Sequence, residues 1–308
     1  MKQKTIIKKI YIGIILFLIN SLFFYFLTKF DQNNDAYVFV YFCLFFVLFI
    51  IIGAIKEILK SAKLNKNKFL QIPYFLFSFL FFFYSFFILL FQFKDKHIFN
   101  FGFENGSSKI FLIIQKIILF DENYFLFAFL FFFICLWFCF LFIRDFKTKN
   151  LNFLLLILFY IVFSNACFLV LVSFNYQWFL YLFVITIAND SFAFLGGILF
   201  GKHLLYPSVS PKKTWEGFFC GIIMTFIIVC FLFPNQIIKP LFLLFTLCNC
   251  VISQIGDLIS SKFKRDFSVK DFDDIIPGHG GLLDRFDSLL FLSFFVILFL
   301  SSPLSNNI

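Results

Sequence analysis

Residues 238–287 read IKPLFLLFTLCNCVISQIGDLISSKFKRDFSVKDFDDIIPGHGGLLDRFD. Up to Gly256 the segment is mostly hydrocarbon. From Asp257 to Asp287 it holds 12 of the chain's 43 charged residues in 31 positions. An apolar run of about 20 residues crosses a bilayer as a helix, because in hydrocarbon a spanning segment must satisfy its own backbone hydrogen bonds. Asp257 therefore falls where membrane meets water, and the polar stretch after it lies at that boundary.

The rest of the chain extends the same reading. Of its 308 residues, 62% are hydrophobic and 24% aromatic, too apolar for a soluble monomer. Apolar runs end near Leu27 and then cover roughly 36–55, 70–93, 124–143, 151–173, 178–201, 217–233, 238–256 and 288–302. The expectation is an all-α polytopic membrane protein of about nine transmembrane helices. The first run follows Lys2, Lys4, Lys8 and Lys9 but is too long for a signal peptide and lacks a small-residue cleavage site, so it is read as a retained helix. With nine spans, 20 of the 26 Lys and Arg residues fall on one side. The positive-inside rule then puts the N-terminus and the segments 202–216 and 257–287 in the cytoplasm. Residues 1–175 are expected to be a scaffold of about five helices, and 176–308 the catalytic region.

Other compositional features point nowhere specific. The net charge of +9 is spread over membrane flanks, which excludes nucleic acid as the expected partner. The eight Cys lie in or beside apolar runs without flanking His, which argues against zinc and against a disulfide framework. The 61 Phe are compositional habit, and the Asn105-Gly-Ser sequon occurs by chance. Residues 94–123 form the longest outward loop.

Three segments carry chemistry. Asp190 sits mid-span, where an ionisable group costs about 2.5–3.5 kcal/mol on insertion scales and marks either a functional acid or an assembly pair. Gly197-xxx-Gly201 and Gly217-xxx-Gly221 have the spacing for close helix packing. Ser210-Pro-Lys-Lys-Thr-Trp-Glu-Gly217 places Ser210, Lys212, Lys213, Thr214 and Glu216 at a helix start, a combination suited to phosphate or, more simply, to anchoring span seven. In the third, Asp284 and Asp287 share a helical face, and Pro277-Gly-His-Gly-Gly281 forms a tight turn whose backbone N–H groups can approach an anion. Mg²⁺ takes one or two carboxylates plus waters and substrate phosphates. Asp257 and Asp284 are the best pair, with Asp287 and Asp190 next. The bland alternative is a solvated, salt-bridged loop.

At these residues the chain resembles the phosphatidate cytidylyltransferases, or CDP-diacylglycerol synthases, in their bacterial branch. The resemblance rests on Ser261, Phe263, Lys264-Arg265, Lys270-Asp271, Ile276-Pro277, His279-Gly280-Gly281, Asp284-Arg285 and Asp287. Upstream it rests on Asp190, Ala193, Gly197, Gly201, Lys202, the whole of Ser210–Gly217 and Gly256-Asp257-Leu258. It covers roughly 180–302. Phe194 stands where Tyr is usual, Ile198 where a base is frequent, and Asp273 where the family has Gly, Ser or Ala.

The resemblance implies transfer of a cytidylyl group from CTP to phosphatidate, giving CDP-diacylglycerol and pyrophosphate, at the cytoplasmic face of the inner membrane. It implies Mg²⁺, with a monovalent cation such as K⁺ as an optional second centre. Asp257, Asp284, Lys264, Arg265, His279 and Arg285 would be catalytic, with Asp257, Asp284 and Asp287 on the metal. Asp190, Ser210, Lys212, Lys213, Thr214, Glu216, Ser261, Lys270, Asp271, Gly280 and Gly281 would contact substrate. The expected partners are CTP, phosphatidate and the bilayer, with a homodimer left open. The alternatives are a cytidylyltransferase or kinase for another lipid phosphate, and a transporter for a phosphorylated solute.

Overall fold

The computed structural model describes residues 38–61, 75, 78–79, 160–171, 176–236, 238–273 and 281–300. Helices α1 (Val38–Ser61), α2 (Tyr160–Leu171) and α3 (Tyr176–Phe200) lead to a hairpin of β1 (Leu204–Tyr206) and β2 (Ser210–Thr214). Helices α4 (Trp215–Leu232), α5 (Pro240–Asp266) and α6 (Leu283–Leu300) follow. The described residues are thus mostly helical, as expected of an all-α membrane protein. The spans expected before Leu27 and at 70–93 and 124–143 fall wholly or mostly outside them.

Three helices, Gln177–Phe200, Trp215–Leu232 and Pro240–Asp266, are long and apolar enough to cross a membrane. Their outward faces agree with that. Along α4 the exposed residues Phe219, Ile223, Ile227 and Phe231 recur every fourth position, and Phe194 and Ile198 do the same on α3. Such a stripe matches hydrocarbon and would be a liability in water.

Two local features depart from the sequence reading. The 202–216 loop is a two-stranded antiparallel hairpin, with Leu204 opposite Thr214 and Tyr206 opposite Ser210. Pro211 and the two lysines carry little strand propensity, so strand alternation was not legible there. The eighth span does not stop at Gly256. Helix α5 continues to Asp266, because apolar periodicity ends at the membrane edge while helix propensity does not, and Lys and Arg favour helix. Ser268 then takes a left-handed conformation (φ 59°). Its N–H donates to Arg265 O (2.9 Å) and that of Val269 to Lys264 O (3.0 Å), which closes the helix as a Schellman motif.

Both ends of α4 are legible. Thr214 is its N-cap, its hydroxyl accepting from Gly217 N at 3.2 Å. Pro234 follows the last turn, where helix cannot continue. Pro240 at the start of α5 uses the position where a missing N–H costs nothing.

The core lies where α1, α2, α3, α5 and α6 meet, with Ile50, Ile58, Phe168, Tyr181, Phe245 and Leu290 buried in one cluster. Helix α4 packs on α3 through glycine. A Cβ on Gly217 would lie 2.5 Å from Ala193 O, and one on Gly221 would lie 2.7 Å from both Asn189 Oδ1 and Gln254 Nε2. Those two amides tie three helices together. Asn189 Nδ2 donates to Cys250 O (2.6 Å), and Gln254 Nε2 donates to Asn189 Oδ1 (2.8 Å) and Phe218 O (3.1 Å).

The crossing gives an ordered pair of outcomes. Gly217→Ala meets backbone that cannot yield and should destabilise the protein by about 1–3 kcal/mol, whereas Gly197→Ala meets only the Thr214 hydroxyl at 3.2 Å and should cost less. Thermal unfolding of the two variants in one detergent checks the order.

Candidate active site

Five elements converge on one cleft of about 600 Å³. Helix α3 contributes Asp190, Ala193, Phe194, Gly197 and Ile198, and the hairpin contributes Leu204, Leu205, Pro211, Lys212, Lys213 and Thr214. From α5 come Gln254 and Asp257, from α6 Asp284, Arg285 and Asp287, and Phe218 of α4 completes the lining. Residues nearly a hundred positions apart thus meet because α3 and α4 cross tightly and carry the hairpin over the polar ends of α5 and α6.

The charges interlock. Lys213 Nζ lies 2.6 Å from Asp257 Oδ2, joining the hairpin to α5. Lys264, 8% exposed, sits 2.9 Å from Asp284 Oδ1 and 3.8 Å from Asp287 Oδ2, with its ammonium 5.6 Å from the Phe272 ring centroid. Asp190, Asp257 and Asp287 line the same cleft as neighbouring acids.

The two acids on α6 are in different circumstances. Asp284 is fully engaged. Oδ1 accepts from Lys264, and Oδ2 accepts from Gly281 N (2.9 Å) and Phe272 N (3.1 Å). In Asp287, Oδ1 accepts from Ser288 N (2.7 Å), while the buried Oδ2 accepts no hydrogen bond of normal length among the described residues. A buried carboxylate oxygen whose nearest cation, Lys264, stays 3.8 Å away, in a cleft shared with a second acid, Asp257, leaves room for a further cation. Among the described residues no three His, Cys, Asp or Glu side chains form a ready metal cluster. The arrangement suits Mg²⁺, which draws only one or two protein carboxylates and completes its shell with water and phosphate.

Several expected site residues lie elsewhere. Arg265 donates to Val209 O (Nε, 3.1 Å) and Val269 O (3.1 Å), so it clamps the hairpin turn to the end of α5. Glu216 holds His203, accepting from its backbone N and pairing with Nδ1 at 2.7 Å. Arg265, Glu216, Ser210, Ser261, Lys270 and Asp271 are absent from the cleft lining, and Lys270 and Asp271 are exposed. His279 and Gly280 lie outside the described residues. Asp273, the departure from the family pattern, pairs with Lys60 of α1.

One acid was not anticipated. Glu57, on α1, is buried and accepts from the backbone N–H groups of Leu282 and Leu283, the latter at 2.8 Å. Burial pushes its carboxyl above the ordinary carboxylate range, and the two N–H donors oppose that shift. The signal for it was faint but present. Glu57 is the one acid in a segment, 56–68, that carries five lysines, and a membrane-flanking basic segment has no need of an acid.

Comparison with known proteins finds relatives that share one name. The phosphatidate cytidylyltransferase of Staphylococcus haemolyticus is 45% identical over 116 residues, which are 37% of this chain and 45% of that protein. The protein of the same name from Staphylococcus aureus strain COL is 46% identical over 117 residues, 37% and 45% of the two chains. That of Staphylococcus epidermidis strain ATCC 12228 is 44% identical over 119 residues, 38% and 46%. These matches span less than half the length of each relative. The sequence profile of the cytidylyltransferase family matches residues 2–302, nearly the whole chain, and the chain belongs to that family.

Proposed function

We propose that the protein is a membrane-bound nucleotidyltransferase that moves a cytidylyl group from CTP to phosphatidate. The products are CDP-diacylglycerol and pyrophosphate. The observation that carries this reading is the cleft itself. It brings Lys212, Lys213 and Arg285 together with Asp190, Asp257, Asp284 and Asp287, beside the apolar residues Phe194, Ile198 and Leu204 that are exposed on its flank. A nucleotide from water and a phosphate on a lipid can meet only at such a boundary. Nine spans, a cytoplasmic N-terminus and a cleft facing the cytoplasm of the inner membrane complete the proposal, supported by the placement of 20 of the 26 basic residues.

In the proposed reaction a phosphate oxygen of phosphatidate attacks the α-phosphorus of CTP. The new P–O bond forms as the bond from α-phosphorus to the bridging oxygen breaks, and pyrophosphate leaves with that electron pair. The nucleophile is already ionised at neutral pH, so no strong general base is required. Positioning and charge neutralisation do the work. Lys212, Lys213 and Arg285 would hold phosphate oxygens. The hydroxyl of Thr214 accepts from Gly217 N, which leaves its hydrogen to donate. Asp257 and Asp287 would hold Mg²⁺, which supplies neutralisation of the triphosphate when bound. Asp284 would fix Lys264 and the start of α6.

Purified protein should convert phosphatidate and CTP to CDP-diacylglycerol, and chelation of Mg²⁺ by EDTA should abolish the product. A wild type that binds CTP yet leaves phosphatidate untouched redirects the reading to another lipid phosphate. One that binds no CTP sinks it.

The two aspartates should separate in a second experiment. Asp257→Asn should fold normally and lose about 100-fold or more in turnover, with a raised Mg²⁺ requirement. Asp284→Asn should lose turnover and also stability, by about 3–5 kcal/mol, since it strips the partner from a buried Lys264. Turnover and thermal unfolding, measured side by side, check the split.

A further inference from the structure

Helix α1 comes from the half of the chain expected to be scaffold, yet it touches the start of α6. The contact is polar and buried. A helix leaves its first N–H groups without intrahelical partners, and at the start of α6 those of Leu282 and Leu283 point at a side chain from α1. Glu57, 225 residues away from Leu282, supplies both acceptors. The approach is close enough that a Cβ on Gly281 would lie 2.7–2.9 Å from the Glu57 carboxylate, so any side chain there would push that carboxylate aside. Gly281 N in turn donates to Asp284 Oδ2. One helical turn along α1, Lys60 pairs with Asp273, next to Phe272, whose N–H donates to the same Asp284 oxygen. Both backbone donors that orient Asp284 are therefore adjacent to a residue held by α1.

We propose that Glu57 is a positioning residue for the cleft. It fixes Gly281–Leu283 and, through them, the rotamer of Asp284 and the placement of Lys264, Arg285 and Asp287. A negative carboxylate at a helix N-terminus also complements the helix dipole. The consequence for activity rests on the cytidylyltransferase reading above, whereas the contact itself does not.

The test uses full-length protein in detergent–lipid micelles. Glu57→Gln keeps the volume and one acceptor, Glu57→Ala removes both, and Lys262→Ala, whose partner is Asp266 on the outer side of α5, serves as control. Hydrogen exchange of the peptide covering 281–290 should quicken in Glu57→Ala and not in Lys262→Ala. In Glu57→Gln the unfolding temperature should stay within a few degrees of wild type, while kcat/KM for CTP falls about 10- to 100-fold, the size expected of a small misplacement, and the Mg²⁺ requirement rises. Unchanged exchange in Glu57→Ala overturns the contact. Turnover and Mg²⁺ requirement like wild type in Glu57→Gln, with only the unfolding temperature lowered, overturn the positioning role and leave a structural cap. If wild type binds CTP but does not use phosphatidate, the substrate reading fails on its own. The same variants are then compared in Mg²⁺-dependent CTP affinity, and equal affinities overturn the proposal.

Discussion

Lys264 carries an ammonium into a place almost closed to solvent, and the architecture around it follows from that burden. Desolvating such a group costs several kcal/mol unless opposite charge and hydrogen bonds surround it. Asp284 at 2.9 Å, Asp287 at 3.8 Å and the face of Phe272 meet the need. Because Lys264 sits on α5 and both acids sit on α6, the pairing fixes the register of one helix against the other. It also explains why α5 must run on beyond the apolar boundary. Stopping at Gly256 would leave the lysine in a loop, unable to hold that register.

The cleft was legible in the sequence wherever the chemistry is local. Lys212, Lys213 and Thr214 stand in one short segment, and Asp257, Asp284 and Asp287 in another. Their polarity against a hydrocarbon background announces them, and all six line the cleft. Asp190 was legible for the converse reason, as a lone acid inside an apolar run. What could not be read were roles decided by distant partners. Arg265 stands next to Lys264 in a motif full of charge, yet one helical step of about 100° turns it away, toward Val209 and Val269. Glu57 takes its meaning from amides 225 residues on, a separation that leaves no period and no spacing to detect. The hairpin at 204–214 was hidden because its pairing is set by the crossing of α3 and α4, not by strand propensity.

Glycine and amide do the work at that crossing that large apolar side chains do in a soluble core. Helices surrounded by hydrocarbon gain little from burying more hydrocarbon, so contact comes from close backbone approach and interhelical hydrogen bonds. Gly217 and Gly221 permit the approach, and Asn189 and Gln254 lock it. Asn189 immediately precedes Asp190. The amide that clamps three helices thus sets where the neighbouring carboxylate enters the cleft, and the structural and chemical demands on this part of α3 are one.

The balance of charge within the cleft bears on how the carboxylates divide their labour. Asp190, Asp257, Asp284 and Asp287 face Lys212, Lys213 and Arg285, and a nucleoside triphosphate would add several further negative charges. On the proposed reading, a cleft loaded with nucleotide would be self-repelling without another cation. Asp284 has its oxygens committed to Lys264 and two backbone N–H groups, so releasing it to a metal would free a buried lysine at a cost of several kcal/mol. Asp257 would give up a partly exposed pair with Lys213, and on the proposed reading Lys213 would find a phosphate in exchange. Asp287 Oδ2 would give up only the longer, 3.8 Å approach of Lys264, which keeps Asp284 at 2.9 Å. On the reading proposed above, a metal would fall to Asp257 and Asp287, while Asp284 is the post to which Lys264 and the 281 turn are tied.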